Sequence, residues 1–153
     1  MPRRRFQYDS NDVPSLKVRI RAEDGPAVEV SGTVDSGAGR FGDASEASVS
    51  RFGTTVLSVE DAEELGLNPA SLRLGPDAIV ANKTRVHCWT APTPIRAQVL
   101  RAGAAAGDDL VPWGPVFAVN VMFMQDADPL WGQSDFFATF GINFERPEFT
   151  LRY

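Results

Sequence analysis

Apolar and polar residues alternate along several short stretches of the chain, as they do in half-buried β-strands. Residues 17–21 keep this period of two, and residues 28–34 continue it after a turn at 23–26. The two stretches predict a β-hairpin whose second strand ends at Asp35. The apolar run 116–124 predicts a strand buried on both faces. Further short strands are predicted at residues 54–57, 72–74, 78–80, 86–89, 95–100, 142–145 and 148–153.

Two stretches predict short helices instead of strands. Ser58 followed by Asp61 resembles a capping box, which favours a helix that begins after Ser58. A second helix is predicted around residues 136–140, with Ser134 as its N-cap and Asp135 in its first turn, where a carboxylate suits the helix dipole. The fold class that follows is mainly β with one or two short helices.

Composition and charge exclude several classes of protein. Hydrophobic residues make up 43% of the 153 residues and charged residues 23%, which is typical of a globular domain. The net charge of −5 argues against a nucleic-acid partner, because the only basic run, residues 3–5, lies at the terminus. No apolar run is long enough to span a membrane, and none follows residues 3–5 as in a signal peptide, so we expect a cytoplasmic protein without a membrane partner.

The chain has few residues for metal or disulfide chemistry. Cys88 is the only cysteine and His87 the only histidine, so an intramolecular disulfide and a cysteine and histidine zinc site are both excluded. We expect both residues to belong to a strand, and we expect no cofactor and no metal. For domain organisation, we expect a mobile N-terminal segment at residues 1–12 and a single domain at 13–153, with an exposed insertion around 39–53.

Three segments, in order along the chain, resemble a known family. Val34-Asp35-Ser36-Gly37-Ala38 resembles the Asp-Thr/Ser-Gly-Ala motif of retropepsin-like aspartic proteases. Leu130-Trp131-Gly132, followed by an Asp-bearing helix start, is similar to the second motif of that family, and residues 57–67 resemble a segment common in its bacterial members. The resemblance covers residues 16–153 and implies a closed β-barrel of the acid protease fold.

The resemblance also implies an activity and a role for each motif residue. Two carboxylates that share one proton can activate water and protonate a peptide, and a chain with one such motif needs a second copy to supply the other Asp35. The family pattern implies that Ser36 hydrogen-bonds across the dimer and that Gly37 and Ala38 allow close backbone approach. It implies that residues 130–132 pack beneath the Asp35 loop. The expected protein is a homodimeric aspartic endopeptidase that acts on a peptide or protein substrate.

Two features depart from the family pattern, and the chain's last strand raises a further question. The insertion at 39–53 separates the Asp35 loop from the next strand, and the flap expected within residues 75–86 has no glycine-rich tip. The family pattern places Glu148 to Tyr153 at the dimer interface, whereas an ordinary intrachain strand is the alternative.

Other functions fit the same residues. A catalytically inactive retropepsin-like module could dimerise or bind peptides, because a fold does not fix a function. A small-molecule-binding β-barrel with an incidental Asp-Ser-Gly turn is a third possibility. The distance between two Asp35 carboxylates across a two-fold axis distinguishes the protease from both.

Overall fold

The computed structural model describes residues 1–35, 55–75, 77–79, 84–105, 107–132 and 135–153. This part of the chain is mainly β, as the alternating pattern predicts. Its strands are Arg3–Gln7 (β1), Ser15–Ala22 (β2), Ala27–Val34 (β3), Thr55–Ser58 (β4), Arg73–Leu74 (β5), Ala78–Ile79 (β6), Arg85–Val86 (β7), Cys88–Thr90 (β8), Ile95–Arg101 (β9), Val111–Val119 (β10), Val121–Met124 (β11), Leu130–Trp131 (β12), Gly141–Glu145 (β13) and Glu148–Arg152 (β14). The helices are Val59–Glu64 (α1) and Phe136–Thr139 (α2), and a 3₁₀ turn spans Pro69–Ser71.

The strands form three sheets. The largest has nine strands in the order β10-β9-β2-β3-β12-β4-β11-β8-β5, the second has the order β1-β14-β13, and β6 pairs with β7. The short strand β12 lies between β3 and β4, parallel to β3 and antiparallel to β4. The end of β3 and the second motif therefore meet inside one sheet, although almost a hundred residues separate them in the sequence.

The closed barrel expected from the resemblance is not present in the described residues, where none of the three sheets closes on itself. The strands β10 and β5 are the two edges of the nine-stranded sheet. Pro112 and Pro115 lie in β10 and have no N–H to donate, so they suit an edge strand and disfavour further pairing along it. The strand β5 is only two residues long.

The local predictions at β2, β3 and α1 are confirmed. β2 and β3 pair antiparallel in register from Ser15 opposite Thr33 to Arg21 opposite Ala27. At α1 the Asp61 N–H donates to Ser58 Oγ at 3.1 Å, and the Ser58 N–H donates to Asp61 Oδ2 at 2.9 Å, which completes the capping box.

Two predicted strands are each divided into two. The run 116–124 is not one strand, because β10 ends at Val119 and β11 begins at Val121. The residue between them is Asn120, whose backbone N–H donates to Asp135 at 2.9 Å instead of to a sheet partner. The stretch 86–89 is likewise divided into β7 and β8 at His87.

Part of the N-terminal segment 1–12, which is expected to be mobile, forms a strand. Arg3–Gln7 form β1, which pairs with β14 along its whole length. The Phe6 ring stacks on Phe149 with centroids 5.5 Å apart and meets Trp113 edge-on at 5.9 Å. Burial of an aromatic ring is favourable enough to hold a short terminal strand in place.

The C-terminal strand β14 is the central strand of its sheet. It pairs with β1 on one side and with β13 on the other, so both of its edges are occupied by the same chain. This is the intrachain alternative to an interface strand. Phe149 and Leu151 of β14 are completely buried.

Aromatic side chains connect the sheet of β1, β13 and β14 to β10 and α2. Ring contacts with centroids 5.0 to 6.5 Å apart run through Phe6, Tyr8, Trp113, Phe117, Phe136, Phe137, Phe140, Phe144, Phe149 and Tyr153. The rings belong to both the first and the last residues of the domain, so the chain ends contribute to the core. In the described part, no helix has the length and apolar character needed to cross a membrane.

Candidate functional site

Asp35 is the first residue after β3 and is held there by the backbone of β12. Its N–H donates to the Trp131 carbonyl at 3.0 Å, which continues the parallel pairing of Val34 with Trp131. The Thr33 N–H donates to the Pro129 carbonyl at 3.0 Å in the same ladder. The Asp35 side chain is half-buried, so its carboxyl group lies at the carboxyl end of a central strand, within reach of solvent.

Trp131 fixes β12 against its neighbours. The indole is 1% exposed, and its N–H donates to the Leu16 carbonyl in β2 at 3.0 Å. The ring lies over Gly32 of β3, where a Cβ atom would be 2.8 Å from two ring atoms. Only glycine leaves room for the indole at this position, so the packing of Trp131 depends on Gly32 and determines where the Asp35 backbone lies.

The structure brings together four of the predicted site residues. Asp35, Leu130 and Trp131 meet at the end of β3, and the buried Gly132 follows Trp131 directly. The Gly132 carbonyl accepts the N–H groups of Phe136 and Phe137, both at 3.2 Å, which joins this corner to α2. The other predicted residues, Ser36, Gly37 and Ala38, lie outside the described residues, as does the insertion at 39–53.

Asp135 has a different role from the one that the sequence predicted. It is the N-cap residue of α2, its side chain makes no capping hydrogen bond, and Ser134 lies outside the described residues. Its carboxylate is 4% exposed and accepts hydrogen bonds from Thr55 Oγ1 at 2.9 Å, Asn120 N at 2.9 Å and Asn120 Nδ2 at 3.3 Å. The prediction that placed Asp135 in the first turn of the helix is wrong, because Asp135 is itself the N-cap residue and its oxygens accept hydrogen bonds at the start of β4 and just before β11.

The environment of Asp135 raises the pKa of its carboxyl group. Burial disfavours the charged form and is the largest cause, while the hydrogen bonds from Asn120 and Thr55 lower the pKa in part. Neither Asn120 nor Thr55 was predicted from the sequence as a partner of this group. One signal was present, since Asn120 is the single polar residue in the run 116–124.

The hairpin of β6 and β7 lies within the range predicted for the flap. Ala78 pairs with Val86 and Ile79 with Arg85, and the intervening residues 80–83 lie outside the described part. At the base of the hairpin, His87 Nδ1 lies 2.8 Å from Asp77 Oδ1. The described residues of β6 and β7 pair only with each other, so this hairpin is separate from the nine-stranded sheet.

Cys88 is a poor candidate for a nucleophile. It is 1% exposed, and burial, together with the charge of Asp77, raises the pKa of its thiol. The thiolate is the reactive form of cysteine, so this environment disfavours reaction. Among the residues described by the structure, no group of three or more His, Cys, Asp or Glu side chains could hold a metal ion.

Comparisons with known proteins leave the family open. No protein-family model matches the chain, and a search of curated proteins found no match either. Function is therefore inferred from the geometry at Asp35 and from the motif resemblance.

Proposed function

We propose that the protein is an aspartic endopeptidase whose active site forms between the Asp35 carboxylates of two copies. The observation that carries this proposal is the placement of β12 beside the end of β3, with the Trp131 carbonyl accepting the Asp35 N–H at 3.0 Å. A carboxylate that acts in catalysis must be held in a fixed position by rigid elements. A central strand, a buried indole and a glycine that admits it provide that support.

The proposed reaction uses one proton shared by two carboxyl groups. The ionised carboxylate removes a proton from water, and the water oxygen bonds to the peptide carbonyl carbon. The protonated carboxyl gives its proton to the carbonyl oxygen, so a neutral diol forms. When the diol collapses, one of its hydroxyl groups returns a proton to the second carboxylate, the C–N bond breaks, and the leaving amine takes a proton from the first carboxyl group.

Two copies are needed because the sequence contains a single Asp-Ser-Gly motif. Two carboxylates close together cannot both ionise, so their titration is a property of the pair. We propose a two-fold dimer with an acid-protease-like cleft at the Asp35 ends. An extended peptide would add to that cleft as a strand, and the hairpin of β6 and β7 would cover it.

Digestion of a peptide library tests the proposal. The parent protein is compared with Asp35→Asn, which keeps the side-chain volume but cannot act as a base, and with Asp109→Asn, an exposed aspartate with the same change of charge. We expect Asp35→Asn to lower the cleavage rate by at least about 100-fold, and Asp109→Asn to cleave at the parent rate.

Two results would contradict the proposal. If Asp35→Asn cleaves as fast as the parent, another group does the chemistry. If the parent binds library peptides without cutting them at any pH between acidic and neutral, the protein is the inactive peptide-binding module considered as the alternative.

A further inference from the structure

The sheet of β1, β14 and β13 has one apolar face and one polar face. Phe6, Phe149 and Phe144 are in register across the three strands and belong to the aromatic contacts that join this sheet to the core. The residues that alternate with them point to the other side. We name that side the arginine face, and it consists of Arg3, Arg5, Gln7, Gly141, Asn143, Glu145, Glu148, Thr150 and Arg152.

Charge is divided unevenly over the arginine face. Near one end, Glu148 accepts a hydrogen bond from Gln7 at 2.9 Å and lies 3.6 Å from the guanidinium of Arg5. Near the other end, Arg3 and Arg152 are directly opposite each other across β1 and β14. Within the described residues, neither of these two guanidinium groups forms an ion pair.

Two like charges placed directly opposite on neighbouring strands destabilise a sheet unless an anion lies between them. The overall charge of the chain is −5, so this positive end is not explained by a generally basic composition. The pair therefore indicates a place where a negatively charged group from outside the described chain would be stabilised.

A hollow of about 550 Å³ lies on this face. Its lining consists of Arg3, Arg4, Arg5, Gly141, Ile142, Asn143, Glu145, Thr150 and Arg152. Its carboxylate, Glu145, lies at the Glu148 end, away from Arg3 and Arg152, and accepts a hydrogen bond from Asn143 Nδ2 at 2.7 Å. The Arg152 side chain lies across Gly141, where a Cβ atom would be 2.5 Å from Arg152 Nε. The absence of a side chain at residue 141 thus lets Arg152 lie flat on the sheet, which limits the entropy that its guanidinium loses on binding.

We propose that the arginine face binds an acidic peptide segment through carboxylates seated between Arg3 and Arg152. Guanidinium groups bind carboxylates with two parallel hydrogen bonds, and alternate residues of an extended peptide match the spacing of Arg3 and Arg5 along β1. A single-stranded nucleic acid would need aromatic rings for base stacking, and the described residues of this face include none. The proposal is independent of the chemistry at Asp35.

Fluorescence titration with a labelled peptide of alternating Ala and Glu tests the proposal, with the matching Ala and Gln peptide as the neutral control. The protein forms are the parent, Arg3→Gln, the double variant Arg3→Gln/Arg152→Gln, and Arg73→Gln. Arg73 is exposed on β5 of the nine-stranded sheet, and its variant changes the net charge by the same amount as Arg3→Gln does. Thermal unfolding of each variant checks that the fold is retained.

At an ionic strength on the order of 0.02 M, where exposed charges are weakly screened, we expect the Glu peptide to bind and the Gln peptide not to bind. Arg3→Gln should weaken binding by about threefold and the double variant by at least about tenfold, while Arg73→Gln should change it by less than about twofold. An Asp35→Asn protein should bind the Glu peptide as tightly as the parent does.

Several results would overturn the proposal. Equal binding of the two peptides, or loss of binding in Asp35→Asn, would place the peptide elsewhere. Inorganic phosphate or an oligonucleotide that binds in an Arg3-dependent way, when the Glu peptide does not, would assign the face to a phosphate ligand. A fall in the sedimentation coefficient of Arg3→Gln would assign it to a second copy of the chain.

Discussion

Asp35 directly follows β3 and Asp135 directly precedes α2, but the protein surrounds the two carboxyl groups differently. Asp135 is 4% exposed, and its oxygens accept hydrogen bonds from Thr55 and Asn120. Asp35 is half-buried, and its position is set through its backbone N–H and the Trp131 carbonyl. The first arrangement uses the carboxylate to satisfy buried donors, whereas the second fixes the residue through its main chain at a strand end.

This difference shows why the chemical type of a residue does not assign its role. A buried carboxylate that satisfies two or more donors is needed for the fold, because its loss leaves those donors unpaired. A half-buried carboxylate within reach of solvent costs the fold less when it is replaced, because water can satisfy the groups around it. Replacing Asp135 should therefore mainly lower the stability of the fold, whereas replacing Asp35 should mainly lower the cleavage activity.

The largest stability effect is expected at Asp135. Asp135→Ala leaves the Thr55 hydroxyl and the Asn120 N–H without their acceptor in a buried site, so we expect the free energy of unfolding to fall by about 3 kcal/mol. Asp35→Ala should lower it by less than about 1 kcal/mol. Urea unfolding of both variants measures the two values.

Equal losses in the two variants, or a larger loss at Asp35, would mean that the hydrogen bonds of Asp135 do not carry the stability assigned to them. The control is Asp109→Ala, where an exposed carboxylate is removed and a change within about 0.5 kcal/mol is expected.

A change at Gly32 tests the support of Asp35 without touching either aspartate. In Gly32→Ala the new methyl group would meet the Trp131 ring, and overpacking of this kind costs about 2 kcal/mol. Displacement of Trp131 would also move the carbonyl that accepts the Asp35 N–H. We expect a loss of both stability and cleavage, measured by urea unfolding and by digestion of a fixed peptide.

The matched variant Gly75→Ala changes a glycine where the nearest neighbour of a new Cβ, a methyl group of Thr90, would be 3.3 Å away. It should cost less stability than Gly32→Ala. If Gly32→Ala cleaves at the parent rate in spite of its lower stability, the indole does not position Asp35.

The pH dependence of stability gives a smaller effect with a definite sign. Burial raises the pKa of Asp135 in the folded state above its usual value of 3.8, so the folded state holds this proton more tightly than the unfolded state does. The stability contributed by this group is then complete below its unfolded pKa and is lost as the pH rises through the folded pKa.

Asp135→Asn cannot titrate, so the stability of the parent minus that of the variant should fall with rising pH across this window. Urea unfolding at a series of acidic to neutral pH values measures the difference, and an increase with pH would contradict the raised pKa.

Local patterns predicted the parts of the fold that depend on neighbouring residues. The alternation in β2 and β3 and the capping box of Ser58 and Asp61 are short-range signals, and the structure has all of them. Contacts between residues far apart in the sequence could not be predicted from such local patterns. The pairing of β1 with β14 depends on Phe6 meeting Phe149, and the division of the run 116–124 depends on Asn120 meeting Asp135. No local pattern specifies either contact. The proximity of Trp131 to Asp35 was predicted only because two motifs resembled those of one family.

Each proposed active site needs Asp35 from two copies, and a subunit-mixing measurement tests this requirement. Parent protein is mixed with increasing amounts of Asp35→Asn and allowed to exchange subunits before peptide cleavage is measured, with Asp109→Asn in place of Asp35→Asn as the control. If both carboxylates are required, only dimers of two parent chains cleave, so about a quarter of the dimers are active in an equal mixture. The activity per parent chain should then be halved. In the control mixture every dimer is active, so the activity per total chain should equal that of the parent alone. Activity per parent chain that is unaffected by Asp35→Asn would contradict the two-copy site.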